Sequence, residues 1–176
     1  MLVVVVLASS CGRGGDADVP PERVPTDLVP ARLLSDALGV FENRDPSTLE
    51  TFANVGPTSL VGDTRVWEIR RGDRLVATLQ ISTVRPGIDL LDEEVRERFA
   101  ARLILGQLGR IRAGDVEVFT ATADDKTIFL WFASNLYEVL QTKDRELESE
   151  ALLADIIEYQ HDKAGWKQLP ELVDFE

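Results

Sequence analysis

One cysteine, Cys11, and one histidine, His161, bound the chemistry open to this 176-residue chain. A lone histidine leaves histidine-paired acid–base catalysis and multi-histidine metal sites without the groups they need. A lone thiol allows no internal disulfide. No phosphate-binding loop, dinucleotide fingerprint, nucleophile elbow or zinc spacing occurs. No catalytic, cofactor-binding or metal-binding residue is therefore nominated. His161 falls near the end of an expected helix, where a cation complements the dipole. Arg71-Gly72-Asp73 sits where a hairpin needs its turn, and Asp124-Asp125 reads as another turn rather than a calcium loop, which requires several oxygens at fixed spacing. Trp67, Trp131 and Tyr137 could line a pocket, but aromatic residues in strands are more often core.

The surroundings of Cys11 carry the sharpest signal. Residues 2–8 are seven apolar side chains without a polar break. That length suits the hydrophobic region of a secretory signal and falls far below the roughly 20 residues of a membrane-spanning helix. Small residues follow. Leu7-Ala8-Ser9-Ser10-Cys11 resembles the lipobox of bacterial lipoprotein precursors. In that family a diacylglyceryl group is attached to the cysteine sulfur and the peptide is cut just before it. The resemblance implies that Ser10 precedes the cut and that Cys11 becomes the lipidated N-terminus. No Lys or Arg precedes the apolar run, so a start codon upstream of Met1 is expected to supply the usual positive segment.

After Cys11, residues 12–26 are rich in Gly and Pro and hold no aromatic side chain. Such a stretch buries too little surface to order itself. A fifteen-residue flexible chain spans roughly 20 Å and would act as a tether. Acyl chains contribute about 0.8 kcal/mol per buried CH₂, so two or three together anchor stably where one does not. The expected organisation is a signal over 1–10, a lipidated linker over 11–28 and one domain over 29–176. A chain of that size can build a core without disulfides or metals. The charge of −12, from 31 acidic against 19 basic residues, repels nucleic acid and anionic lipid.

The remaining elements are read from hydrophobic period. Leu33, Leu34, Ala37, Leu38 and Phe41 make a helical stripe over 30–41. Strict alternation over 65–70 and 74–84 predicts a hairpin turning at Gly72. Asp89 is expected to cap a helix reaching about Gly109, with Leu91, Val95, Phe99 and Leu103 inward. Three strands follow over 115–122, 126–132 and 136–142. The middle one is apolar on both faces and should lie centrally, covered by helices. A last helix over 145–161 buries Leu152, Leu153, Ile156 and Ile157, and the apolar tail beyond it should pack. The expected fold is α+β: an antiparallel β-sheet of a hairpin plus a three-stranded meander, packed with about three helices.

These readings predict a lipoprotein held on the extracytoplasmic face of the cell membrane through the lipid on Cys11. Its role is expected to be non-catalytic binding of a protein or small ligand, with no cofactor and no nucleic-acid partner. Two alternatives are a carrier of an apolar molecule between sheet and helices, and a hydrolase using a carboxylate pair, for which no spacing nominates the pair.

Overall fold

In the computed structural model, the described residues are 23–33, 38–45, 61–103, 107–123, 125–133, 135–143 and 148–163. They form strands β1 (Arg32–Leu33), β2 (Leu38–Asn43), β3 (Val61–Arg71) and β4 (Arg74–Val84), then helix α1 (Glu93–Leu103). Strands β5 (Gly109–Ala113), β6 (Val116–Ala123), β7 (Lys126–Ala133) and β8 (Leu136–Thr142) follow, and helix α2 (Ser149–Lys163) ends the order. All eight strands join one sheet in the order β1-β2-β3-β4-β8-β7-β6-β5, antiparallel throughout. Four strands run outward to inward, α1 crosses over, and four more return so that β4 and β8 meet at the centre.

This corrects the expected fold class. The described residues are mainly β, one eight-stranded sheet with two helices, rather than α+β with three helices. The expected helix over 30–41 is the chief error. Its described residues form β1 and β2, and β2 pairs with β3 from Gly39 opposite Arg70 to Asn43 opposite Val66. Leu38 and Val40 face the core while Phe41 points out, 57% exposed. Gly39 disfavours a helix, and Val40 and Phe41 suit a strand, so sheet pairing overrides the stripe of leucines.

Alternation along the strands builds two cores, one on each sheet face. One face carries Trp67, Ile69, Leu79, Ile81, Phe129, Trp131 and Leu140 against Leu152, Leu153, Ile156 and Ile157 of α2. The other carries Phe119, Leu130, Phe132, Tyr137 and Val139 against Phe99, Ala100 and Leu103 of α1. Strand β7 is thus covered by a helix on each side, as its apolar composition requires. α2 touches both β1 and β5, the two edges of the sheet, so the sheet coils around this helix and its α2 face is concave. Val24 and Leu28 also lie in the α2-side core, within the stretch read as linker, so the packed body begins ahead of residue 29.

Local chemistry sets the element ends. Gly72 and Gly114 take left-handed φ values of 59° and 62° in the Gly-Asp turns that join β3 to β4 and β5 to β6. α1 is capped by Asp92 rather than Asp89: its Oδ1 accepts from Glu94 N at 2.9 Å and Val95 N at 3.3 Å. Asp89 makes the preceding turn by accepting from Leu91 N at 2.9 Å. Leu91 is 56% exposed, and Arg96 takes an inward place, its guanidinium donating to the carbonyls of Leu90 and Leu91. Gly109 does not end that helix but opens β5.

Candidate functional site

The concave face is open at one end, where β5 to β8 run past the first turn of α2. A cleft of about 1000 Å³ lies there. The register explains its chemistry. Thr122 of β6 stands opposite Thr127 of β7, and Thr127 opposite Thr142 of β8, so three hydroxyl side chains form one row across three strands. The row continues into α2 through Thr142 Oγ1 and Ser149 Oγ, 2.8 Å apart. One pair further along, Gly109 of β5 faces Thr120 of β6. A Cβ on Gly109 would sit 2.6 Å from Thr120 Oγ1, so a side chain at position 109 would push that hydroxyl from its present place.

Asp125, Glu148 and Glu150 stand exposed among the lining residues, and the described lining contains no Lys or Arg. Ile111 and Phe129 supply an apolar floor beside the hydroxyls. Hydroxyls donate and accept while carboxylates only accept. Such a lining favours a polar ligand rich in hydroxyl or amine donors over an apolar one.

Deeper on the same face lies a carboxyl of another kind. Glu138 is fully buried, with Ile81 of β4 and Trp131 of β7 as its cross-strand neighbours. Gln160 of α2 donates Nε2 to Glu138 Oε2 at 2.7 Å. Burial pushes the Glu138 carboxyl up to about 8, opposed by the Gln160 hydrogen bond and by the Trp131 indole N–H. That indole faces the carboxyl without reaching full hydrogen-bond geometry. Trp131 Nε1, Glu138 Oε1 and Gln160 Oε1 are all buried with no partner. Among the described residues no second carboxylate is among the groups acting on Glu138, so this buried carboxyl is not itself one of a flanking acid pair.

On the opposite face, Arg110 ties α1 to the sheet. It binds Glu97 and Glu93 of α1 and Glu117 of β6, and lies 5.1 Å from the centroid of the Phe119 ring. The hydrogen bond to Glu97 raises its pKa.

The residues singled out from sequence are not brought together. Cys11, the lipobox-like run, Asp124 and the tail beyond 163 lie outside the described residues. His161 is exposed near the end of α2, and Arg71-Gly72-Asp73 forms the hairpin turn as read. Trp67 and Trp131 belong to one core and Tyr137 to the other, so they line no common pocket. Asp125 alone of the nominated residues reaches the cleft. Among the described residues no cluster of three or more His, Cys, Asp or Glu is placed to hold a metal ion, and no helix is long and apolar enough to cross a membrane. No family model, no curated protein and no solved structure matches this chain.

Proposed function

We propose that this chain is a lipid-anchored, extracytoplasmic binding domain that holds a polar ligand non-catalytically in the cleft beside α2. The observation that carries the binding part is the hydroxyl row of Thr122, Thr127, Thr142 and Ser149 that lines the cleft, exposed at Thr122, bonded to itself at Thr142 and Ser149, and flanked by carboxylates. Hydroxyls aligned across three strands offer paired donors and acceptors to sugars, amino sugars or amines. The anchoring part rests on the sequence of residues 2–11 and the spacer after it.

The two parts have separate tests. Growth with a fatty-acid analogue labels the wild-type protein, and Cys11→Ala abolishes the label; equal labelling of both removes the anchor. Amide shift mapping against glucose, glucosamine and spermidine perturbs β6, β7 and the first turn of α2. Perturbations confined to other surfaces would remove the cleft as the binding site.

A further inference from the structure

The Glu138 cluster is at odds with ordinary core design. A buried polar atom without a partner is costly, and here three lie together under one helix. As a carboxylate, Glu138 could only accept, and so could Gln160 Oε1. The Trp131 indole N–H faces the carboxyl but leaves Gln160 Oε1 without a donor; a proton on Glu138 Oε1 supplies that donor and gives Oε1 itself a partner. The acid O–H then points to the Gln160 carbonyl while Gln160 Nε2 donates back to Oε2, the contact seen at 2.7 Å. One proton thereby satisfies two of the three orphan atoms and removes a buried charge.

We propose that Glu138 and Gln160 form a neutral, two-point acid–amide pair, and that this pair is a proton-operated latch fastening α2 into the concave face of the sheet. The surroundings fit a neutral acid. The inward neighbours on β4 and β7 are Ile81 and Trp131, neither ionisable. Of the ionisable side chains described on α2, Glu150, Glu158 and His161 are exposed, and Asp155 and Tyr159 are half-buried. Among the described residues no charged group is among the causes of the Glu138 shift, so none of them supplies a cation to hold a carboxylate there. α2 also walls the cleft with Ser149, Glu150 and Ala151, so releasing the latch loosens one side of the cleft whatever it holds.

Hydrogen exchange of the full chain, read as protection relative to intrinsic rates, tests the latch. Opening α2 exposes Glu138, which then ionises at any pH above its ordinary range. Protection of α2 amides therefore falls about tenfold per pH unit from about pH 5 to about pH 8 and levels off above. In Glu138→Gln, an amide–amide pair keeps both contacts and the protection stays flat. Amides of α1, on the other face, stay flat in both proteins. Flat protection in wild-type α2, or an equal slope in α1 and α2, would overturn the latch. Infrared spectroscopy of the wild type needs no variant. It should show a protonated-carboxyl band at pH 7 that is lost through about pH 8, and absence of that band at pH 7 would also overturn it.

Discussion

Gly109 and Glu138 are single residues whose replacement reads out two different constraints. Gly109→Ala places a methyl group against Thr120 Oγ1 and must displace it or the β5 backbone. Overpacking of this kind costs about 1–3 kcal/mol, and urea denaturation measures it. The same variant should disturb amide shifts at Thr120 more than at Thr142. For Glu138 the sign of the pH effect follows from its raised pKa. The unfolded chain loses this proton near 4.5 while the folded chain keeps it to about 8. Its contribution is therefore fully present below about 4.5 and drains away as pH rises to about 8. The slope is roughly 1.4 kcal/mol per pH unit, taken as the difference between wild type and Glu138→Gln in urea melts. Neither partner of this pair was singled out from sequence, although a signal for each was present. Leu136, Glu138 and Leu140 alternate, which puts a carboxyl among leucines on one strand face, and Gln160 continues the stripe of Ile156 and Ile157. What sequence does not carry is the contact that brings the two together across 22 residues.

At the scale of elements, Asp92 shows how a neighbouring candidate can take over a boundary. Asp89 and Asp92 both precede an acidic, helix-forming run, and only Asp92 accepts from the second and third helical amides. Asp92→Ala should cost about 1 kcal/mol in a thermal or urea melt. Asp89→Ala, which removes a turn contact rather than a cap, should cost less. The central hairpin, the three-strand run from 116 to 142 and the inward face of α2 were legible because their apolar periods are long and unbroken. Strand β5 was not, since Arg110-Ile111-Arg112 spans too few residues to set a period. Its signal was the turn: Gly114-Asp115 repeats the Gly72-Asp73 chemistry of the first hairpin. Residues 30–41 failed for the opposite reason. Leu33, Leu38 and Phe41 satisfy a helical spacing, and Gly39 together with the partner strand β3 decides against it.

For the molecule as a whole, mainly-β architecture changes what the helices do. α2 does not lie beside a flat sheet but occupies its concavity, reaching both edge strands, while α1 is bound from outside through Arg110. Its four inward aliphatic residues contribute on the order of 2 kcal/mol each through burial. The hydroxyl-lined cleft lies where strands β5 to β8 meet the first turn of α2. The hydroxyl row was not legible beforehand: Thr122, Thr127 and Thr142 align only once register is known.

The central seam has a consequence of its own. Each half of the chain, β1 to β4 with α1 and β5 to β8 with α2, is a contiguous run of polypeptide, and the strand pair β4–β8 stitches them into one sheet. A break engineered between Leu103 and Gln107 severs none of the described strand pairings. Two co-expressed fragments divided there should reassemble and co-purify, whereas a division inside β7 should leave insoluble pieces. Recovery of neither fragment pair in soluble form would show that the covalent crossover, and not the seam, holds the halves together.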